Sequence, residues 1–191
     1  NTHSPFDPKV APVRMSNLCL EIALPTKPLD DINDENGEIA LCTLSAINLG
    51  TLDSLDEMED LSELAVRALD SLLDYQGYPI PAAKNASLGR RTLGIGVINF
   101  AYYLAKNNVR YSDGSANTLT HQTFEALQYY LMKASANLAK EFGPCPLFNE
   151  TTYSKGIMPI DTYKKEIDNV CSEPLKLDWD ALRKLIKENG S

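Results

Sequence analysis

The sequence predicts a helix-rich α/β fold with two short strands near the N-terminus. Three observations predict it: apolar residues alternate over 18–24, a second apolar run ends at Gly50, and apolar residues recur with helical spacing from Ser54 onward. At 191 residues, with 43% hydrophobic and 23% charged residues, the chain has the composition of a globular domain. We expect a single partial domain over residues 1–191.

The first predicted strand lies in SNLCLEIAL, residues 16–24. Its aliphatic residues occupy every second position, and prolines follow at 25 and 28, so the segment is typical of a strand or an extended loop. An acidic, turn-rich loop over 29–38 leads to EIALCTLSAINLG, which predicts the second strand. Because two strands rarely form a stable sheet alone, the pattern indicates that further strands belong to the fold.

The helices are predicted from apolar residues at three- and four-residue steps. The prolines of YPIPAAKN are interpreted as a break between the first two, and Asp178 and Gly190 as the N-cap and the stop of the last. Five helices are predicted: one from Ser54 through Leu72, and others over 94–107, 117–141, 161–171 and 178–189.

The charge balance excludes some classes of partner. A formal charge of -8 and a pI near 4.8 argue against a broad basic surface, so we expect neither nucleic acid nor an anionic membrane as a partner. No apolar run approaches the ~20 residues that span a bilayer, and no signal-peptide pattern is present. We expect a soluble, cytoplasmic protein. Since the first residue is Asn1 rather than Met, we also expect an excised or processed piece.

The cysteines show no metal-binding spacing. There is no CxxC pair, and His3 and His121 are the two histidines, so neither a zinc site nor another metal site is expected. Disulfides that staple the fold are disfavoured in a reducing compartment. Each thiol is therefore either reactive or simply buried. The four are Cys19, Cys42, Cys145 and Cys171.

Asn17, Cys19 and Glu21 form the most unusual pattern in the chain. In an extended segment they would point the same way at intervals of ~6 to 7 Å, about the span of a sugar ring. One interpretation is a lined pocket, since a lone buried carboxylate would be costly and an exposed thiol would be an odd choice. The other is an edge strand, with Glu21 solvated and Cys19 acting as a small hydrophobe. The pattern alone favours the edge strand.

Six strings change that balance: NTHSPF, SNLCLEIALPT, DENGEIALCTLSAINLG, YPIPAAK, GRRTLGIGVINFA and RYSDGSAN. Together they closely resemble the large, catalytic subunit of the aerobic class I ribonucleotide reductases. The resemblance covers essentially the whole chain and about a quarter of that subunit. It implies part of a ten-stranded α/β barrel, with Cys19 on a loop that reaches into the barrel.

The resemblance also implies a role for each residue of the motif. Cys19 would carry a transient thiyl radical that abstracts the 3′ hydrogen of a ribonucleotide. Glu21 would be the general base on the 3′ hydroxyl, and Asn17 would hydrogen-bond the ribose. Cys42 would be one half of the dithiol that delivers reducing equivalents. The implied activity is reduction of ribonucleoside diphosphates to deoxyribonucleotides.

The implied partners lie outside this chain. They are a metal-containing small subunit that generates the radical, thioredoxin or glutaredoxin, and the remaining segments of the large subunit, which bind the ATP and dNTP effectors. No cofactor is expected on this chain, and no turnover by it alone. The alternative is an inactive fragment, or an assembly piece of a divided reductase. Either way, uncovered strand edges and apolar faces are expected.

Other notable residues are given structural interpretations. Gly94 and Gly96 suggest close helix packing rather than a phosphate-binding turn, because Asn99 occupies the third glycine position. Arg90 and Arg91 could meet a phosphate or an acidic neighbour, and a surface role is preferred for both. Tyrosines are interpreted as helix packing and the remaining thiols as ordinary; these are Tyr102, Tyr103, Tyr129, Tyr130, Cys145 and Cys171.

Overall fold

The computed structural model describes residues 4–20, 22–41 and 43–191. Within these ranges it contains two strands and five α-helices joined by short 3-10 turns. The helix-rich α/β class with two short strands is confirmed. The elements are β1 (Leu44–Asn48), α1 (Met58–Tyr75), α2 (Pro81–Arg90), β2 (Gly94–Ile98), α3 (Phe100–Lys106), α4 (Asn117–Phe142) and α5 (Trp179–Asn189).

The two strands pair in parallel, with Leu44 opposite Gly94 and Asn48 opposite Ile98. A parallel pair requires a long crossover, which α1 and α2 supply. One face of the pair packs on α1, α3 and α4 through Ile47 and its neighbours. On the other face Leu44 and Ile98 are exposed. The described residues therefore leave one sheet face uncovered, as expected for a partial barrel.

Helix α1 begins where the sequence predicts a helix start. Ser54 and Glu57 form a capping box: the Ser54 hydroxyl accepts from the Asp56 N–H at 3.1 Å, and Glu57 Oε1 accepts from the Ser54 N–H at 2.9 Å. After this turn, α1 buries a stripe against α4. The stripe consists of Met58, Ser62, Val66, Leu69 and Leu73.

Helices α4 and α5 are also confirmed, and they enclose a second apolar cluster. Asp178 caps α5 by accepting from the Ala181 N–H at 2.9 Å, as predicted. The amphipathic stripe of α5 packs against α4, where it meets small residues and aromatic rings. The buried members are Ala136, Met158, Trp179, Leu182 and Ile186.

The positions of two predicted elements are wrong. Of the strand or extended loop expected over 18–24, the strand is wrong: residues 18–20 form a turn, and among the described residues of 18–24 none is a strand residue. The predicted helix 94–107 is instead strand β2 followed by the shorter α3. GIGVI extends because it pairs with β1, and Asn99 turns the chain in a left-handed conformation (φ 62°) while its amide donates to Asn48 Oδ1 at 3.1 Å.

Helix α2 is missing from the sequence prediction because its proline was interpreted as a break. Pro81 occupies the first turn, where the absent N–H costs nothing, and Ile80 before it is extended. The opposite error occurs over 161–171. There the chain forms 3-10 turns at Pro159–Thr162 and Lys165–Asn169 rather than an α-helix.

The smaller structural interpretations have mixed outcomes. A Cβ on Gly94 would lie 2.5 Å from the Leu44 side chain, so this glycine permits close approach to the neighbouring strand. Gly96 faces open space. Because both glycines lie in β2, the helix-packing interpretation is wrong for both. Tyr102 is exposed rather than packed. The packing prediction holds for three tyrosines: Tyr103 is buried, and Tyr129 meets Tyr130 edge-on.

Candidate active-site turn

The Cys19 segment forms a tight turn. The Leu20 N–H donates to the Asn17 carbonyl at 3.2 Å, and the Ile22 N–H donates to Asn17 Oδ1 at 3.0 Å. Leu20 closes the turn in the left-handed region at φ 66°, which is costly for a branched side chain. Asn17 thus shapes the turn through both its backbone and its side chain.

The tip of this turn faces solvent. Cys19 is a free, exposed thiol, and the side chains on either side of it are 98% exposed at Leu18 and 75% exposed at Leu20. A reactive thiol needs shielding from water, which these two leucines are placed to provide. Within the described residues that shielding is absent, and the leucines form a small apolar patch around the thiol.

The predicted alternation of Asn17 and Cys19 on one face is wrong, because side chains do not alternate through a turn. A cavity of about 510 Å³ lies behind the turn, lined by Asn17, Ile22, Lys27 and Glu38 among others. Cys19 is not part of its lining. Asn17 therefore faces the cavity, while the Cys19 thiol lies on the solvent side.

We call the segment that carries Cys19, from Phe6 to Glu38, the excursion. Its base is held more firmly than its tip. The Ser4 hydroxyl donates to the Ala23 carbonyl at 2.9 Å, which joins the two limbs of the segment. Further along, Lys27 and Glu38 exchange backbone hydrogen bonds of 3.1 and 3.2 Å, and their side chains form an ion pair at 2.5 Å. This pairing closes the acidic loop that follows the motif.

Arg90 lies at the centre of this base and is buried, so its interpretation as a surface residue is wrong. Its side chain is 3% exposed, and it donates to Glu38 at 2.8 Å and to Glu150 at 2.7 Å. Burial raises the pKa of Glu38, but hydrogen bonds from Lys27 and Arg90 outweigh burial and hold that pKa below its ordinary value. We call Arg90, Glu38 and Glu150 the arginine hub.

Arg91 is also engaged, but with a different element. It donates to Asp70 at 2.7 Å and to Asp74 at 2.8 Å, both on α1. Its side chain is 21% exposed, and its partners are the acidic neighbours expected as the alternative to a surface role. The two adjacent arginines thus anchor α2 in two directions.

The remaining predicted residues are either outside the described ranges or chemically quiet. His3, Glu21 and Cys42 lie outside the described residues, so their predicted positions are not placed. Cys145 and Cys171 are free and half-buried. Burial raises the pKa of the Cys145 thiol, which disfavours the reactive thiolate.

The described ranges contain neither a cluster of metal-binding side chains nor a membrane-spanning helix. Outside residues 1–3, 21 and 42, no group of three or more metal-binding side chains comes together. No helix in that same portion combines the length and apolarity needed to cross a membrane.

The profile of the family described as "Ribonucleotide reductase, barrel domain" matches residues 1–191. The chain belongs to this family. It is 76% identical over 190 residues to the ribonucleoside-diphosphate reductase 1 subunit alpha of Escherichia coli. Identity to the subunit alpha of Haemophilus influenzae is 75%, and to that of phage T4 50%. Each alignment covers 100% of this chain and 25% of the relative.

The chain therefore spans about a quarter of the length of these reductase subunits. The expected membership in the large-subunit family is confirmed, as is the expected quarter. The arginine hub is the part of the site that sequence reasoning missed. Its one sequence signal is Arg90 at the end of a proline-initiated helix, and its partners lie 52 and 60 residues away.

Proposed function

We propose that this chain supplies the radical-carrying thiol of a ribonucleoside-diphosphate reductase, and that Cys19 is that thiol. The observation that carries the proposal is a free, exposed cysteine at the tip of a hydrogen-bonded turn, in a chain that matches the reductase barrel domain along its whole length. The relatives are named for diphosphate substrates, which favours a ribonucleoside diphosphate.

In the proposed reaction the Cys19 thiyl radical takes the 3′ hydrogen atom, forming an S–H bond and leaving a substrate radical. Glu21 accepts the 3′ hydroxyl proton, and Asn17 hydrogen-bonds the ribose. The 2′ hydroxyl takes one hydrogen of the dithiol as a proton and leaves as water, and C2′ receives the other hydrogen. The dithiol, of which Cys42 is one half, supplies the two electrons, and Glu21 returns its proton to the 3′ oxygen. The hydrogen returns to the substrate, the thiyl radical is restored, and the dithiol ends as a disulfide.

The proposal requires partners that supply what this chain lacks. A metal-containing small subunit provides the radical, and thioredoxin or glutaredoxin restores the dithiol. The rest of the large subunit covers the tip and binds the nucleotide effectors. Synthesis of DNA precursors by such an assembly belongs in the cytoplasm.

The test uses a full-length large subunit that carries this sequence, combined with its radical-supplying partner. Cys19→Ser should abolish deoxyribonucleotide formation, because a hydroxyl cannot form the thiyl radical. Cys171→Ser is the matched control and should retain turnover, since that thiol is in a separate loop. Full turnover by Cys19→Ser would overturn the proposal.

A second candidate function is an assembly piece without turnover of its own. It is favoured by the uncovered tip and sheet face, where Leu18, Leu20, Leu44 and Ile98 are exposed. Mixing the 191-residue chain with complementary segments and the radical partner distinguishes the two. Turnover that is lost with Cys19→Ser supports the catalytic role, and binding without turnover supports the assembly role.

A further inference from the structure

Both ends of the segment that carries Cys19 contact the same guanidinium group, that of Arg90. Its first limb begins beside Phe6, and its second limb ends in the pairing of Lys27 with Glu38. The Arg90 side chain contacts both limbs. Three segments that are distant in sequence therefore meet at one side chain.

The first limb meets Arg90 in two ways. The Arg90 guanidinium lies over the Phe6 ring, 4.9 Å from its centroid. The same guanidinium binds the Glu150 carboxylate, and the Glu150 carbonyl accepts from the Asp7 N–H at 2.8 Å. Phe6 also forms an antiparallel bridge with Thr151. The start of the excursion is therefore fixed to Arg90 both directly and through Glu150.

The second limb meets Arg90 through one carboxylate. Glu38 is 4% exposed and binds Arg90 at one oxygen and Lys27 at the other. Because the Lys27 and Glu38 backbones also pair, the position of Glu38 sets the position of the chain that returns from the turn. Helix α2 reinforces this contact, since the Ile39 N–H donates to the Ala82 carbonyl at 3.1 Å.

The tip itself has little packing to hold it. Leu18 and Leu20 are exposed, and the turn depends on hydrogen bonds made by Asn17. The direction in which the thiol points is thus set at the base, by a planar guanidinium that fixes two carboxylates and a ring at once. We propose that Arg90 is a positioning residue for the Cys19 thiol, acting through Glu38, Glu150 and Phe6. This inference rests on the proposed function of Cys19.

The test measures hydrogen abstraction in a full-length subunit assembled with its radical partner. Arg90→Met removes the guanidinium, and its matched control is Arg91→Met, which breaks a comparable ion pair directed at α1 instead. Turnover is measured with ordinary substrate and with substrate that carries deuterium at the 3′ carbon. Misplacement of a reacting group by about 1 Å can cost 10²-fold, so we expect kcat of Arg90→Met to fall roughly 10- to 100-fold.

The deuterium isotope effect separates positioning from simple loss of folded protein. A displaced thiol slows the abstraction step, so the isotope effect on kcat should rise in Arg90→Met and remain at the unsubstituted value in Arg91→Met. A partly unfolded population would lower kcat and leave the isotope effect unchanged. If Arg90→Met does not fold, Arg90→Lys is used, which keeps the charge and loses the two-carboxylate geometry.

Each outcome decides one of the two ideas. An unchanged isotope effect in the Arg90 variants overturns the positioning role, as does an equal effect in Arg91→Met. Turnover that survives Cys19→Ser overturns the proposed function itself. Loss of turnover in Cys19→Ser, together with unchanged kinetics in the Arg90 variants, rejects the positioning role alone.

Discussion

The Cys19 turn and the arginine hub are opposite in character, although they belong to one excursion of the chain. The turn exposes a thiol and two leucines and depends on the hydrogen bonds that Asn17 makes. The hub buries a guanidinium and the Glu38 carboxylate at 3% and 4% exposure. A segment can therefore be accurately directed at its base and openly accessible at its tip.

The contrast shows which part of the segment carries the structural restraint. Among the described residues the tip is exposed and the base is buried, so the restraint lies where burial is possible. A buried ion pair is sensitive to loss of either partner, whereas exposed side chains contribute little to stability. Substitutions at the two places should accordingly differ in size, and the following changes measure that difference.

Removing the hub cation should have the largest effect. Arg90→Met leaves Glu38 buried with only Lys27 beside it, and we expect the free energy of unfolding to fall by about 3 kcal/mol or more. Chemical denaturation measures the loss. The control is Lys27→Met, which should cost no more than about 1 kcal/mol because the Lys27 side chain is 54% exposed. Equal losses of unfolding free energy in the two variants would show that burial does not increase the contribution of the hub to stability.

Removing the hub carboxylate should have a smaller effect that depends on pH. Hydrogen bonds to charged groups contribute about 1.5–3 kcal/mol, so Glu38→Gln should lose an amount of this order at pH 7. The pKa of Glu38 is lower in the folded state than its ordinary 4.5, since Lys27 and Arg90 outweigh burial. Its contribution is therefore complete above pH 4.5 and disappears as the pH falls through the folded pKa.

Denaturation of both proteins between pH 7 and pH 3 tests this. The difference between unsubstituted protein and Glu38→Gln should shrink below pH 4.5. Glu150 binds the same guanidinium and is present in both proteins, so the two proteins differ only at position 38. A difference that stays constant down to pH 3 would contradict the expected direction.

At the tip, loss of the turn hydrogen bond should be modest. Asn17→Ala removes the acceptor of the Ile22 N–H, and a single hydrogen bond is worth about 1 kcal/mol. Amide exchange at Ile22 should quicken roughly fivefold, the factor that corresponds to this free energy. Asn17→Asp retains an acceptor and should exchange at nearly the original rate. Equal exchange in all three proteins would exclude a restraining role for the amide.

The smallest effect is expected at the most exposed position. Leu18→Ser should change the free energy of unfolding by no more than about 0.5 kcal/mol, because the side chain is 98% exposed. Leu104→Ala is the buried counterpart at 1% exposure and should cost about 2–5 kcal/mol. A large loss in Leu18→Ser would reveal packing of the tip that the described contacts lack.

Local patterns were sufficient for some elements and misleading for others. Helices α1, α4 and α5 follow from apolar spacing and caps such as Ser54 and Asp178, because those signals act within a few residues. GIGVI was interpreted as helix because its extension depends on pairing with β1, fifty residues earlier in the chain. Tertiary pairing outweighed local preference there.

The site shows the same division. The sequence marked Asn17 and Cys19 as unusual, and the family resemblance gave them roles. The sequence did not predict that Asn17 shapes a turn, because the Leu20 conformation that closes the turn has no sequence signal. Arg90 was misassigned to the surface because its carboxylate partners are distant in sequence and cannot be paired by inspection.

The hub also fixes an order of events during synthesis. Cys19 leaves the ribosome roughly 130 residues before Glu150, the last hub residue to emerge, which corresponds to on the order of ten seconds of translation. Until then Arg90 lacks one of its two carboxylates, and the first limb lacks its attachment through Glu150. On the proposed positioning role, the thiol spends the early life of each chain without its final orientation.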